Sequence, residues 1–317
     1  MVSVGYFLSS EEHGPAGLVD AAARAEQAGF HAAWISDHYH PWNDEQGQSP
    51  FVWTVIGAIA RATSSLRIFT AVTCPTIRLH PAIVAQAAAT SAVLSGGRFG
   101  LGVGSGEALN EHILGDAWPS ADVRLEMLEE AVDVIRQLFT GRDVEHTGRH
   151  YRVENARLYT LPRAPPPIYV SGFGPKATRV AAHVGDGYMN TMPDRQLVDL
   201  YRSSGGRGPA QGGVKVAWAP TEEEGHKNAY RLWANQALPG ELSQVLPTPQ
   251  HFMQASQLVT EEMIARSVVA GPDPERHVRQ IQAYVDAGFD EVYVGQIGPD
   301  QPGMIDFYAR EVLPHVR

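Results

Sequence analysis

Short apolar runs rich in β-branched residues alternate with amphipathic helical patterns along this chain of 317 residues. Alternation of this kind is typical of a parallel sheet, because each strand needs a crossover before the next can run the same way. Eight runs qualify as strands, and helical patterns separate nearly all of them: 2–7, 32–36, 66–72, 98–103, 168–170, 187–190, 214–218 and 291–295. Eight such units in a chain of this length favour a closed (β/α)₈ TIM barrel over an open doubly wound sheet. We therefore predict an α/β protein with a single barrel domain over residues 1–317, and an irregular insertion at about 238–260, where proline and glutamine are frequent.

The composition limits the classes of partner. A formal net charge of -10 argues against a nucleic-acid surface, which needs clustered Lys and Arg against the phosphates. No apolar run approaches the roughly 18 residues that a membrane helix needs, and the N-terminal segment lacks the pattern of a secretory signal. Cys74 is the only cysteine, so no intrachain disulfide can form. We expect a cytoplasmic enzyme that acts on a small molecule, with no nucleic-acid or membrane partner.

Unusual polar residues follow the second predicted strand, where the loops of a barrel build its active site. The imidazole of His38 is suited to proton transfer near neutral pH, the carboxylate of Asp37 can orient it, and Trp42 can line one side of a planar ligand. The alternative is a turn capped by Asp37 with packed aromatic rings. His38 and His40 also resemble the metal-binding pair of amidohydrolase barrels. That pair follows the first strand, however, and the later strand ends here lack the other ligands, so we predict no metal site.

Two glycine-rich loops lie farther along the same predicted rim. Residues 102–106 follow the fourth strand and can expose N–H groups to an anion, but the spacing is not that of a dinucleotide fingerprint. Glu107 comes next, and a carboxylate that shares a pocket with an imidazole can work with it as an acid–base pair. The alternative for Glu107 is a solvated acid at a helix start. Residues 171–174 lead into a helix, which predicts either an anion site or a plain tight turn.

These three clusters together resemble the luciferase-like flavin and deazaflavin oxidoreductases over nearly the whole chain. Within that family, the sequence is most similar to the branch that contains the glucose-6-phosphate dehydrogenases dependent on the deazaflavin coenzyme F420. The resemblance is carried by Ser36-Asp37-His38 with Pro41-Trp42, by residues 102–111, and by Gly185-Asp186-Gly187.

The resemblance implies a role for each site residue. His38 would be the base that removes the substrate hydroxyl proton, Glu107 the partner acid, and Glu11 a further active-site acid. Trp42 would shape the substrate pocket. Asp37 would contact the deazaflavin ring, against which a cis peptide bond between Ala71 and Val72 would lie. The other residues that the resemblance places at the coenzyme are Gly104, Ser105, Gly106, Asn110, Ser171, Gly172, Phe173 and Gly174. It also implies a homodimer.

One departure from that branch bears on the substrate. Its sugar-phosphate members hold the substrate phosphate with lysines in the second half of the chain, where this sequence reads MPD at 192–194 and AR at 265–266. Arg195, Arg202 and Arg266 are candidates to replace them, but arginine and lysine are not interchangeable at such sites. We therefore expect an F420-dependent dehydrogenase for an alcohol or sugar hydroxyl other than glucose 6-phosphate. The alternatives are a monooxygenase that uses flavin mononucleotide (FMN), a reductase that uses reduced F420, and a flavin-binding protein without catalysis.

Overall fold

Eight parallel strands close into a barrel in the computed structural model, which describes residues 2–316. Around the barrel the strands follow the order β1, β10, β9, β8, β7, β4, β3, β2. Their bounds are β1 Ser3–Leu8, β2 Ala32–Ile35, β3 Arg67–Thr70, β4 Phe99–Val103, β7 Ile168–Ser171, β8 Gly187–Asn190, β9 Ala210–Val216 and β10 Glu291–Gln296. A separate antiparallel hairpin consists of β5 (Val144–Thr147) and β6 (Arg152–Ala156). The predicted TIM barrel is thereby confirmed.

Helices lie between the strands. They are α1 Pro15–Gln27, α2 Val52–Ala62, α3 Pro81–Leu94, α4 Ala108–Glu111, α5 Ala121–Leu138, α6 Pro175–Val184, α7 Arg195–Ser203, α8 Glu222–Trp233, α9 Leu242–Val245, α10 Pro249–Ser256, α11 Glu261–Ala265, α12 Pro274–Asp286 and α13 Gln301–Phe307. A π-helical turn at Tyr308–Val312 follows α13. Within residues 2–316, no helix combines the length and the apolar character needed to cross a bilayer.

Local sequence signals explain where several of these helices begin and end. Helix α3 begins at Pro81, which needs no N–H partner, and the ring of His80 accepts the N–H of Ala82. Helix α8 begins after Thr221, whose hydroxyl accepts the N–H of Glu224. Helix α1 is followed by Gly29 at a φ of 95°, a backbone conformation that favours glycine.

A cluster of mostly aromatic residues fills the barrel interior. Its members are Phe7, Ala32, Trp34, Phe69, Tyr169, Met189 and Tyr293. The rings of Trp34 and Tyr293 stack with their centroids 4.5 Å apart. Because this cluster packs the interior, the barrel presents two separate polar ends.

Charged residues occupy the N-terminal end of the barrel. The Glu291 carboxylate accepts hydrogen bonds from the Tyr293 hydroxyl at 2.7 Å, from Gln211 at 3.0 Å and from Arg67 at 3.1 Å. His31 lies 3.3 Å from the same carboxylate. We call these five residues the N-terminal network. Burial alone would raise the pKa of Glu291, but hydrogen bonds from His31 and Tyr293 and the charge of Arg67 lower it to about 2.

The structure differs from the sequence prediction at strand β9. This strand begins at Ala210, four residues before the predicted start at 214. Gly212 and Gly213 break the apolar pattern, yet they lie inside the strand because large rings pack against their backbone. A Cβ atom on either glycine would lie 2.4 Å from a ring atom, of Tyr284 for Gly212 and of Trp34 for Gly213.

Residues 238–260, which the sequence analysis predicted to be an irregular insertion, are partly helical. They contain α9 and α10, and Thr248 caps α10 by accepting the N–H of His251 at 3.3 Å. Both helices are short and their polar composition hides the helical period, while Phe252 is the one residue of α10 that is buried. The same limit applies to the hairpin of β5 and β6, which lies in a stretch with little apolar alternation.

Candidate active site at the C-terminal rim

Three of the four predicted catalytic residues meet where β1 and β2 end. Glu11, in the loop after β1, is 2% exposed, and its Oε1 lies 3.6 Å from Nε2 of His38. The rings of His38 and Trp42 meet edge to face at 5.1 Å. Glu107 precedes α4 on the same rim, but within residues 2–316 its side chain makes no hydrogen bond or ion pair with them. The loops after β1 and β2 therefore form the centre of the candidate site.

The hydrogen bond of His38 defines which ring nitrogen is free. Nδ1 lies 3.3 Å from the backbone oxygen of His40. A carbonyl oxygen can only accept, so this hydrogen bond requires the proton on Nδ1. In the neutral ring, Nε2 then carries the lone pair, and this is the nitrogen that faces Glu11. The geometry thus leaves Nε2 available to take a proton, with a carboxylate beside it to stabilise the resulting cation.

Glu11 is held as a carboxylate. Its Oε2 accepts the hydroxyls of Ser36 at 2.7 Å and Ser9 at 2.9 Å. Burial alone would raise the pKa of Glu11, but the charges of His38 and Lys215 and the bond from Ser36 outweigh burial and lower it to about 2. Glu11 is therefore negatively charged throughout the physiological pH range.

Asp37 belongs to an ion-pair network that the sequence analysis missed. Its carboxylate accepts the Thr73 hydroxyl at 2.6 Å and Nη2 of Arg78 at 2.9 Å. The backbone N–H of Arg78 donates to Glu111 at 2.8 Å. Burial raises the pKa of Glu111 to about 7, while Arg78 opposes that rise and the nearby Glu107 carboxylate adds to it. Arg78 follows β3, and its position on the rim was the signal that could have identified it.

Backbone at the ends of β3 and β4 forms a tight surface at the residues predicted to contact the coenzyme. The peptide bond between Ala71 and Val72 is cis, as the resemblance implies. A Cβ on Gly104 would lie 2.7 Å from Cγ2 of Val72 and 3.7 Å from the Cβ of Ser171, so only glycine allows this approach. Gly106 has a φ of 85° in the left-handed region. The structure brings these residues together into one surface.

Asn110 connects the two predicted clusters of the rim. Its Oδ1 accepts the backbone N–H groups of Tyr39 at 2.9 Å and His40 at 3.1 Å. Its buried Nδ2 has no hydrogen-bond partner in the described residues. A buried amide without a partner is uncommon, because an unmade hydrogen bond costs free energy. Asn110 therefore offers donors to a bound group. The neighbouring Ser105 is partly exposed on the same rim.

The loop from Ser171 to Gly174 connects β7 to α6. The backbone oxygen of Gly172 accepts the Tyr188 hydroxyl at 2.6 Å and the amide of Asn190 at 2.9 Å. Phe173 is 53% exposed, and a Cβ on Gly174 would meet no atom within 4 Å. The N-terminus of α6 is therefore open to an anionic group.

An apolar surface borders the other side of His38. The ring of Trp42 contacts Phe252 of α10 edge to face at 5.0 Å. Trp42 also packs against a second hydrophobic cluster, which contains Ala217, Ala229, Leu232, Trp233, Ala234, Val259, Ile264, Val268, Ala270 and Ile297. We call Trp42, Phe252 and this cluster the apolar wall.

The arginines considered as replacements for the missing lysines have other partners. Arg195 donates to the backbone oxygen of Asp286. Arg202 pairs with Asp290 at 2.6 Å, and Arg266 is 76% exposed and pairs with Glu262 at 2.5 Å. Asp194 caps α7 by accepting the N–H of Leu197 at 3.1 Å. In residues 2–316, no group of three or more His, Cys, Asp and Glu side chains is arranged to hold a metal ion.

The fold and the rim geometry define a class of barrel enzymes, and comparison with known proteins identifies the family. The family described as luciferase-like monooxygenase matches residues 2–291. The chain belongs to this family, which confirms the family that the sequence resemblance indicated.

Curated relatives and a solved structure are similar over the full chain. An F420-dependent glucose-6-phosphate dehydrogenase of Microbacterium testaceum is 36% identical, with 99% of this chain and 97% of that protein covered. An F420-dependent hydroxymycolic acid dehydrogenase of Mycobacterium tuberculosis is 36% identical, with coverages of 99% and 88%. The structure of an F420-dependent secondary alcohol dehydrogenase, in complex with an F420-acetone adduct, has a TM-score of 0.92 at 31% identity and covers 100% of this chain and 99% of that one.

Proposed function

We propose that this protein is a coenzyme F420-dependent oxidoreductase that oxidises a non-phosphorylated alcohol, with His38 as the base. The relatives named above use F420, and two of them act on hydroxyl groups without a sugar phosphate. The observation that carries the proposal is the free Nε2 of His38, 3.6 Å from the buried carboxylate of Glu11.

The rim fits a deazaflavin in two places. Gly104 approaches Val72 closely, and the next residue, Thr73, donates to Asp37, so these residues form the surface against which a ring system would pack. Asn110 supplies an unpaired buried amide, and the open N-terminus of α6 at Gly174 suits a phosphate. These are the residues that would hold the coenzyme.

Oxidation of an alcohol releases a hydride from carbon and a proton from oxygen, and F420 accepts the hydride when it is bound. The proton passes to Nε2 of His38, whose other nitrogen is held by the His40 carbonyl. The cation that forms lies beside Glu11, which stabilises it. We assign Glu107 as the partner acid, because its carboxyl has no competing hydrogen bond within residues 2–316 and is free to exchange a proton.

The substrate pocket favours an apolar alcohol. The apolar wall lies beside His38 through Trp42, whose ring also contacts the buried Phe252. Arg195, Arg202 and Arg266 each have another partner, which argues against their replacing the phosphate-binding lysines. We infer that a hydroxyl on an uncharged carbon chain is oxidised in preference to that of glucose 6-phosphate.

The first experiment is a titration of the purified protein with F420 and with FMN, followed by tryptophan fluorescence. Binding of F420 alone is the expected result. Turnover is then measured as the loss of deazaflavin absorbance with 2-propanol, cyclohexanol, glucose and glucose 6-phosphate. Preference for FMN, with oxygen uptake by the reduced flavin, would overturn the proposal in favour of a monooxygenase, and activity confined to glucose 6-phosphate would overturn the substrate assignment.

We also propose that the enzyme acts in the cytoplasm as a homodimer. Helix α3 contains no charged residue, and with α2 it borders an open apolar groove lined by Phe51, Trp53, Leu79 and Ile83. Phe51 is 56% and Ile83 55% exposed, which favours coverage by a second copy of this chain. Light scattering should find a dimer that Ile83→Glu converts to a monomer. A monomeric wild type would refute the assignment.

A further inference from the structure

Lys215 lies at the C-terminal end of β9 and points into the mouth of the barrel. Two residues earlier on the same face, Gly213 contacts Trp34, and Gln211 donates to Glu291 and Tyr293 inside the barrel. Residues two apart on a strand share a face, so the side chain of Lys215 continues this inward row at the rim.

Two aromatic rings contact the ammonium group of Lys215. Nζ lies 3.4 Å from the centroid of the Trp233 ring and 4.5 Å from that of Phe7. Trp233 is itself fixed, because its Nε1 donates to Glu12 at 2.5 Å. Cation–π contacts of this kind hold an ammonium group in place without neutralising its charge.

The ammonium group connects to Glu11 through one hydroxyl. Nζ donates to Oγ of Ser9 at 3.5 Å, and Ser9 donates to Oε2 of Glu11 at 2.9 Å. An ammonium group can only donate, so it directs the hydroxyl proton of Ser9 toward Glu11. Ser36 donates to the same oxygen, which leaves Oε1 as the oxygen that faces His38.

The charged and titratable groups of this cluster come from three elements. Glu11, Glu12 and His13 follow β1, His38 follows β2, and Lys215 lies in β9. Burial lowers the pKa of Lys215, and the carboxylates of Glu11 and Glu12 oppose that effect. Burial lowers the pKa of His13 to about 4, with Lys215 adding to the shift, so His13 is neutral at physiological pH. Burial raises the pKa of Glu12, and the charge of Lys215 opposes that rise.

We infer that Lys215 is a positioning residue for the reaction: acting through Ser9, it holds Glu11 so that one carboxylate oxygen remains free to face His38. The inference rests on the proposed role of His38 as the base. It predicts that Lys215 contributes to turnover without touching the reacting atoms.

The test compares Lys215→Met with Lys215→Arg, which keeps the charge. If Lys215 holds Glu11 toward His38, Lys215→Met removes the carboxylate that stabilises the His38 cation, so the acid limb of the kcat–pH profile should move to lower pH. Loss of a positive charge without loss of positioning would move the limb to higher pH, and that result would overturn the inference. Lys215→Arg should keep the wild-type midpoint. The same shift is expected in coenzyme-free protein, from the NMR titration of the His38 ring proton, assigned with His38→Asn.

An unchanged midpoint in folded Lys215→Met, by both kinetics and NMR, would overturn the inference and leave Lys215 as a packing residue. The NMR titration does not require turnover. It therefore tests the role of Lys215 even if the protein shows no activity with F420 and alcohols. If Lys215→Met does not fold, Ser9→Ala decides, since it removes the linking hydroxyl and keeps both charges. A fall in kcat of about tenfold at constant KM is expected for Ser9→Ala, and wild-type kcat would contradict the inference.

Discussion

Glu11 and Glu291 occupy opposite ends of the barrel, and the pKa of each is lowered to about 2 although each is buried. The Glu291 carboxylate accepts hydrogen bonds from Tyr293, Gln211 and Arg67, all within 3.1 Å. Glu11 receives two serine hydroxyls on one oxygen, and its other oxygen lies 3.6 Å from His38, beyond a hydrogen bond. Both oxygens of Glu291 therefore accept hydrogen bonds, whereas Oε1 of Glu11 accepts none within residues 2–316 and faces His38.

This contrast shows why a displaced pKa alone does not identify an active site. Both ends contain a carboxylate, a histidine and a basic residue: Arg67 at the N-terminal end and Lys215 at the rim. Of the two histidines, His31 uses both ring nitrogens in hydrogen bonds, whereas His38 uses only Nδ1 within residues 2–316. Substitutions at matched positions in the two ends should therefore have opposite effects on turnover and stability.

The largest difference is expected between the two histidines. His38→Asn should lower kcat by about 10²- to 10⁴-fold, the usual contribution of a general base. His31→Asn should leave kcat within about twofold and reduce the melting temperature, because His31 bonds Val4 and Glu291 rather than substrate. Steady-state kinetics and thermal unfolding of both variants provide the test, and equal losses of kcat would remove the distinction.

Substitutions of the two carboxylates, Glu11 and Glu291, are expected to differ in the same way as those of the two histidines. Glu11→Gln should reduce kcat by about 10²-fold, since the cation on His38 loses its counter-charge. Glu291→Gln should lower the free energy of unfolding by about 2 kcal/mol, because Arg67 and His31 lose an ionic partner. A larger loss of kcat in Glu291→Gln than in Glu11→Gln would contradict the assignment of Glu11 to catalysis and Glu291 to stability.

The pH dependence of stability sharpens the assignment of Glu291. Its pKa is about 2 in the folded protein and 4.5 for the ordinary group, so between these values the unfolded chain binds more protons. The stabilisation by Glu291 is present above pH about 4.5 and is lost as pH falls toward 2. The difference in unfolding free energy between wild type and Glu291→Gln should therefore shrink from pH 5 to pH 3, as measured by chemical denaturation. A difference that stays constant over this range would disprove the linkage.

The smallest effect is expected from one added methyl group. Gly104→Ala places Cβ 2.7 Å from Val72 and should weaken F420 binding by about tenfold through displacement of the surface at the cis peptide. Gly5→Ala, whose Cβ would lie 2.4 Å from the Tyr293 ring, is the matched control inside the barrel. It should lower stability and leave coenzyme affinity unchanged. Equal affinity of wild type and Gly104→Ala would show that this surface does not contact the coenzyme.

Much of the barrel could be predicted from the sequence because its periodic signals are local. Strand β8 spans Gly187–Asn190, as its pattern predicted. Strand β9 was placed too late, because its Gly212 and Gly213 are accommodated by rings from distant elements. Helices α9 and α10 are stabilised by tertiary contacts of residues such as Phe252, which local patterns do not record.

Prediction of the candidate site was also limited by contacts between distant parts of the chain. Rim position and chemistry led us to propose His38 and Glu107, and the family resemblance added Glu11. Arg78 and Lys215 were missed because their meaning depends on partners far away in the chain: Arg78 on Asp37, and Lys215 on Ser9. Pairings between side chains of different loops arise only once the barrel closes.

The attachment of Phe252 to a helix outside the barrel has a consequence for how such enzymes diversify. Helix α10 carries part of the apolar wall to Trp42, while the surfaces at Val72, Gly104 and Gly174 are attached to barrel strands or to loops directly after them. If the proposed roles are correct, selectivity for the alcohol and affinity for the coenzyme belong to different segments of the chain. We therefore expect directed evolution confined to residues 246–264 to change which alcohol is oxidised and to leave coenzyme affinity unchanged.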